Sequence, residues 1–374
     1  MQRKTFIRLS TSWAAAAMLG MASLSATAAE TVLIGVPIPM TGPNTQYGDE
    51  VKAGFLTAVE TLNAAGGNIQ YKAEFIDDAC EPKQAVPAAN RVVTSGAKFA
   101  VAHVCSGVTV PASKIYEQEG IVAITPGATS PLVTDTLNGH HFFRTIGRDD
   151  QQGPFAAKFI AEKLKPKAVA VLHDKQTYGS GVASHVKNTL ESLNVPVVMY
   201  DGINAGDSDY SAVITKLKSA GVDFVYYGGY HPEMGLLLRQ ASEQGLKVRM
   251  MGPEGVGNPE VNAIAGNAVE GMLVTLPADF SSDPKNAAIV KAFQDKKRNP
   301  SGAFQLTAYA ATQAIAESIK AVGDDPKKVA DHLHKAKIDT VIGPVSWNKQ
   351  GDLTAFDFQI FQWHKDGSKT PATK

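Results

Sequence analysis

Short apolar runs and segments with helical apolar spacing alternate along nearly the whole of this chain. A run of four to six apolar residues bounded by turn residues suits a strand buried on both faces. Alternation of such runs with helices implies parallel strands joined by crossover helices. The first run is Val32-Leu33-Ile34-Gly35-Val36. The segment 48–65 then places Val51, Phe55, Ala58, Val59 and Leu62 on one helical face, and Gly66-Gly67 ends it where a left-handed cap is needed. A strand is expected over 72–77 and a helix over 83–93. Two apolar runs follow, 99–105 and 121–125, with a helix over 111–119 between them.

A second series starts near Asp149. Helices over 153–164, 181–193, 210–220 and 233–244 alternate with strands over 168–173, 195–199, 224–227 and 248–251, and a strand over 272–276 completes the set. Beyond Pro277 come helices over 284–297, 303–322 and 326–336. Two β-like segments close the chain, 341–347 and 356–363, with Lys349-Gln350-Gly351-Asp352 as a turn between them. The late helices need a sheet to cover, and the first series lacks late partners. The chain is therefore expected to return to its first half. That makes two discontinuous α/β lobes, 30–148 plus 278–356 and 149–277 plus 357–374, joined by more than one crossing. Such an arrangement suits hinge closure on a ligand. An apolar content of 44% is ample for two cores.

Residues 1–29 read as a targeting segment. Arg3, Lys4 and Arg8 form a basic start, residues 13–24 are apolar but too few to span a bilayer, and Ser25-Ala26-Thr27-Ala28-Ala29 supplies small residues for cleavage before Glu30. A retained anchor is the alternative. Cleavage removes three basic residues from a balance of 36 basic and 36 acidic, leaving a small acidic excess. No long basic run occurs, which argues against nucleic acid or anionic membrane as a partner. The mature chain is read as an exported, monomeric protein. Its two cysteines, Cys80 and Cys105, each follow a strand expected in one sheet. A disulfide is open to such a pair after export, with two buried free thiols as the alternative.

The runs 99–105 and 121–125 stop at small hydroxyl residues, in Cys105-Ser106-Gly107 and Gly127-Ala128-Thr129. Side by side at the carboxyl edge of a parallel sheet, Ser106, Thr129 and the Gly127 backbone suit a small anion such as a carboxylate. They either hold it or attack it. Attack needs a nearby base. No Gly-x-Ser-x-Gly elbow occurs, and the nine histidines are scattered without metal-ligand spacing. His173-Asp174 keeps a base role open. The chain has no Walker sequence, and no Gly-x-Gly-x-x-Gly follows its first strand, so no nucleotide cofactor is expected. Glu254 follows a strand of the second series and Tyr230 ends the preceding one. Glu254 alone reads more readily as an exposed loop acid. Together these two oxygens accept hydrogen bonds from an ammonium group. Tyr47, Tyr178 and Phe304 sit at other loop or helix starts, where each is pocket, core or rim.

The motifs Met40-Thr41-Gly42-Pro43, Gln46-Tyr47-Gly48-Asp49, Asp77-Asp78-Ala79-Cys80-Glu81-Pro82, His173-Asp174-Lys175-Gln176, the stretch 224–235, Met251-Gly252-Pro253-Glu254-Gly255 and Pro300-Ser301-Gly302-Ala303-Phe304 carry a resemblance over the whole mature chain. The chain resembles the periplasmic leucine/isoleucine/valine-binding proteins of bacterial branched-chain amino acid ABC importers. The resemblance implies a type I periplasmic binding fold, two doubly wound α/β lobes with a three-crossing hinge. It implies that Ser106, Gly127 and Thr129 take a ligand carboxylate and that Tyr230 and Glu254 take its ammonium. Tyr47, Cys105, Tyr178 and Phe304 would line the side-chain end. It further implies a Cys80–Cys105 disulfide, a membrane permease as partner, no cofactor and no catalysis. Two departures bear on fine specificity: Gly127, where relatives often carry alanine, and Ser106-Gly107-Val108, where relatives are richer in serine.

Overall fold

The computed structural model describes residues 30–372. The targeting segment expected over 1–29 lies outside the described residues. The first half forms β1 (Glu30–Ile38), α1 (Thr45–Ala64), β2 (Ile69–Asp77), α2 (Ala85–Thr94), β3 (Phe99–Val101), α3 (Ser106–Glu119), β4 (Val122–Thr125), α4 (Leu132–Asp135) and β5 (Phe142–Arg144). All five strands lie parallel in the order β2-β1-β3-β4-β5. The second series forms α5 (Asp149–Phe159), β6 (Val169–His173), α6 (Thr177–Ser192), β7 (Val197–Gly202), α7 (Ser211–Ser219), β8 (Phe224–Gly228), α8 (His231–Glu243), β9 (Arg249–Gly252), α9 (Glu260–Ala265) and β10 (Leu273–Pro277).

The chain continues through α10 (Ala287–Asp295), α11 (Gln305–Val322), α12 (Pro326–Leu333), β11 (Ile338–Thr340), β12 (Gly343–Val345), β13 (Phe358–Trp363) and β14 (Lys369–Pro371). Helix α11 packs on α1 and α12 and reaches β3 and β4, so the late helices cover the first sheet. Strands β13 and β14 join the second sheet instead, in the order β14-β13-β10-β9-β8-β6-β7. Both of their pairings are antiparallel. The chain thus passes between the two sheets three times: after β5, after β10 and after β12. Among the described residues no helix is long and apolar enough to cross a membrane.

Several expected elements shift. Helix α3 starts at Ser106 rather than near 111 and carries Pro111 inside it. The β-branched run Val108-Thr109-Val110 disfavours a helix locally, but burial of Val108 and Ala112 outweighs that propensity. The expected strand over 341–347 is not one piece. Residues Gly343–Val345 pair back on β11 as a short hairpin, and Trp347 meets Leu353 in a separate bridge around the Lys349–Asp352 turn. Strands β5 and β14 and helices α4 and α9 had no clear sequence signal.

Cys80 and Cys105 form a disulfide with Cα atoms 5.5 Å apart. Strands β2 and β3 flank β1 on opposite sides, so the bridge ties two strand ends across the one between them. Beneath it, buried Asp78 bonds His103 Nδ1 at 2.7 Å, and His103 Nε2 meets the Tyr116 hydroxyl at 2.9 Å. The bridge closes a loop with a sequence separation of 25. The Cys80→Ala/Cys105→Ala double variant is expected to lose about 3 kcal/mol in urea titration. An unchanged urea midpoint would show that the bridge adds nothing to stability.

Candidate functional site

In each sheet the strand order reverses next to the first strand of its series. The reversals put crevices at the carboxyl ends of β1 and β3 in one sheet and of β6 and β8 in the other. Six of the side chains singled out from the sequence follow the carboxyl end of a strand in these sheets, whereas Phe304 stands just ahead of helix α11. Tyr47 lies in the first turn of α1, after β1. Ser106 opens α3, after β3, and Thr129 follows β4. Tyr178 lies in the first turn of α6, Tyr230 caps α8, and Glu254 follows β9.

The two edges face each other and touch. Thr129 Oγ1 donates to Glu254 Oε1 at 3.2 Å, with both residues buried. The Tyr47 hydroxyl donates to the Gly255 carbonyl and lies 2.8 Å from His231 Nδ1. The Gly255 N–H donates to the Tyr178 hydroxyl at 3.0 Å. Aromatic rings continue the join: Phe304 to Tyr47 at 5.4 Å between centroids, Tyr47 to Tyr230 at 6.0 Å, and Tyr230 to Tyr178 at 5.2 Å. Between them remains a narrow residual cavity of about 10 Å³. Its walls are Val104, Ser106, Gly127, Tyr178, Tyr230, Glu254, Gly255 and Phe304. The cavity wall beside Ser106 is Val104 rather than Cys105, whose sulfur is committed to the disulfide. Tyr47 stands behind this wall, held by its bonds to Gly255 and His231.

Ser106 is held as well. Its Oγ accepts the Ser130 N–H at 3.2 Å, which joins the starts of the two loops. The loop after β4 is gripped from below by Arg144, which donates to the Ala128 carbonyl at 3.0 Å and pairs with Asp352 at 2.7 Å. At Gly127 a Cβ would stand 2.9 Å from Val104 Cγ1 and 3.3 Å from Phe304 Cδ1, so an alanine there requires the Val104 side chain to move.

Glu254 is not the exposed acid that its loop position allowed; it is 1% exposed. Burial pushes its carboxyl up to about 8, and the neighbouring Asp149 carboxylate adds to the rise. Asp149, also buried, is pushed up to about 7 mainly by burial. The Thr129 hydroxyl lies between the two acids and gives its hydrogen to Glu254, which leaves the Asp149 oxygens without a hydrogen-bond partner. Two desolvated acids this close, with Glu254 on the cavity wall, favour a positive group beside them.

Comparison with known proteins agrees with this architecture. The family model described as periplasmic binding protein matches residues 31–368. The chain belongs to the periplasmic binding protein family. A leucine-, isoleucine-, valine-, threonine- and alanine-binding protein of Pseudomonas aeruginosa is 54% identical over 367 residues, covering 97% of this chain and 98% of that one. The Leu/Ile/Val-binding protein of Escherichia coli is 48% identical over 347 residues, covering 92% and 94%. Among solved structures, a leucine binding protein from Thermotoga maritima superposes with a TM-score of 0.85 at 26% identity, covering 91% of this chain and 98% of that chain.

In this periplasmic binding protein the sequence reading missed the supports of the site. Gln152 donates to Glu254 Oε2, and its own oxygen accepts from Thr275 at 2.9 Å. Gln46 reaches Glu260 at 2.7 Å, and Glu260 reaches His231 at 3.1 Å. The only hint in the sequence was polar density: Asp149-Asp150-Gln151-Gln152 opens the second series, and two of those four side chains are buried. Among the described residues no group of three or more His, Cys, Asp or Glu side chains is arranged to hold a metal ion.

Proposed function

We propose that this protein is the substrate-binding component of an ABC importer and that it takes a free branched-chain aliphatic L-amino acid between its lobes. The observation that carries the reading is the buried meeting of Thr129 and Glu254, donors on one sheet edge and a carboxylate on the other. An α-amino acid has the complementary pair of charges. Ser106, Thr129 and the Gly127 N–H receive its carboxylate, and Glu254 with Tyr230 receives its ammonium. Tyr47, Tyr178 and Phe304 surround the side chain. The aromatic rings of Tyr178, Tyr230 and Phe304 on the cavity wall favour an aliphatic group over a long polar one.

The lobes in this reading are 30–148 plus 278–356 and 149–277 plus 357–374. The ligand closes them against each other, and the closed form docks on a permease in the inner membrane. Residues 1–29 direct export, and the mature protein acts as a periplasmic monomer. The relative from Pseudomonas aeruginosa carries threonine and alanine in its name. That favours a second reading in which smaller side chains are also accepted. A ligand bound only by the native state raises apparent stability. In a thermal-shift screen of the twenty amino acids, leucine, isoleucine and valine are expected to give the largest rises. Threonine and alanine separate the two readings. No rise with any aliphatic amino acid would overturn both. In parallel, turnover of leucine amide would restore the attack role for Ser106.

A further inference from the structure

A second cavity lies away from the cleft. It has a volume of about 320 Å³, opens to solvent, and lies where the chain makes its second passage between the sheets. Leu276, Pro277 and Phe280 of that passage, Leu306 of α11 and Phe361 of β13 give it apolar walls. One cation lines it, Lys369 at the start of β14. The walls thus come from both sheets, because α11 covers the first and β13 and β14 extend the second.

The hydroxyl groups of the cavity are already used. Ser281 and its backbone N–H are taken by Asp279. The Ser301 hydroxyl bonds Asn299 at 2.7 Å, and the Thr307 hydroxyl bonds the Phe304 carbonyl at 3.1 Å. The Lys369 ammonium makes no ion pair or hydrogen bond among the described residues. It lies 4.8 Å from the centre of the buried Trp363 ring. Burial lowers its pKa, and the two acids that oppose this, Glu50 and Asp279, are both engaged elsewhere. Glu50 accepts the Phe304 N–H at 3.0 Å and the Asn258 amide at 3.4 Å. A half-buried cation whose nearest partner is a ring face has no directly paired anion.

We propose that this hinge-side cavity is a second binding site, separate from the cleft, that takes a small monocarboxylate with an aromatic or aliphatic body. The carboxylate pairs with Lys369, and the body lies against Leu276, Phe280, Leu306 and Phe361. The ligand class differs from that of the cleft. This cavity offers one cation without a direct partner, while its acid, Asp279, already accepts from Ser281, so a carboxylate gains a directly paired ion there.

The test is calorimetric titration of phenylacetate into full-length mature protein saturated with leucine, which occupies the cleft first. One-to-one binding is expected. Phenylacetamide, the uncharged isostere, should bind at least tenfold more weakly. Lys369→Met should weaken phenylacetate at least tenfold while its leucine affinity stays within twofold of the parent, and Lys369→Arg should retain binding. Methyl resonances of Leu276 and Leu306 should move on titration. The proposal is overturned if phenylacetate gives no binding at 10 mM, a ceiling on the order of 3 kcal/mol of affinity. It is equally overturned if phenylacetamide or Lys369→Met matches the parent pair, or if raising leucine displaces phenylacetate. Should leucine itself give no binding, the cleft reading fails, and the same titration without leucine still decides this site through Lys369→Met and the two methyl groups.

Discussion

Glu254→Gln is expected to weaken leucine binding at pH 7.5 by a hundredfold or more, with the fold intact. The amide keeps the size and can still meet Thr129 and Gln152, so what disappears is charge. Truncating one side of a buried charge pair costs about 2–5 kcal/mol, and the larger part of that range exceeds a hundredfold. The same substitution should change the response to pH. In the free wild-type protein the Glu254 carboxyl is held up to about 8 by burial and by Asp149. It is therefore largely protonated at pH 6, and an ammonium ligand must displace that proton. Wild-type affinity should rise between pH 6 and 8, by up to about tenfold per unit, and level off above. Stability of the free protein runs the other way. Between the unfolded carboxyl value and about 8 the native state holds a proton that the unfolded chain has released, so stability falls as pH rises. Asp149 acts in the same direction up to about 7. Glu254→Gln should flatten both profiles in part. Calorimetry across this pH range checks it, and parent-like leucine affinity in the variant would remove Glu254 from the ammonium site.

The second large effect is on stability. Asp352→Ala is expected to cost about 3–5 kcal/mol, because it strands a buried cation. Arg144 is fully buried and lies 2.7 Å from Asp352 Oδ1, while Arg148 reaches Oδ2 at 2.9 Å. Arg144 cannot release its proton, and water does not reach it. Arg148 keeps Asp135 and Asp150 as other partners, so the loss falls on Arg144. Arg144 also holds the Ala128 and Ser130 carbonyls on either side of Thr129. Loosening it should weaken ligand binding together with stability. Urea titration of Asp352→Ala beside a leucine titration checks both. A loss below 1 kcal/mol would mean that Arg144 finds another partner when Asp352 is gone.

The alternation of buried runs and helices was legible because β3, β4, β6 and β8 are continuous apolar segments that suit strands covered on both faces. The carboxyl ends of those strands then placed Ser106, Thr129 and Tyr230 at edges without any knowledge of packing. Short strands escaped for the same reason in reverse. Strand β5 has three residues behind a Gly-His-His stretch and ends in Arg144, a residue that reads as surface until its partner Asp352 is brought to it from more than two hundred positions away. Strand β14 pairs only at a sheet edge, and its sequence Lys-Thr-Pro has no apolar run. Gln152 was invisible because a glutamine in a helix's first turn is ordinary. Only the facing of β9 and β10 toward α5 turns it into a support for Glu254. The late helices were assigned to the first sheet by need for a partner and the tail from 357 to the second half, while the antiparallel pairing of β13 with β10 appears only in the structure.

The threefold passage of the chain between its sheets also has a bearing on how the molecule comes into being. The first sheet opens at Glu30, yet the helix that seals one of its faces begins only at Gln305. The second sheet opens at Val169 and waits for Phe358–Trp363 to flank β10. Neither half is complete until almost the last residue has been made. Contacts so distant along the chain slow the search for the native state, since long loops must close before their contacts repay the entropy. A polypeptide built this way stays unfinished for as long as its tail is withheld, so folding is timed by the arrival of its end and completes both halves together.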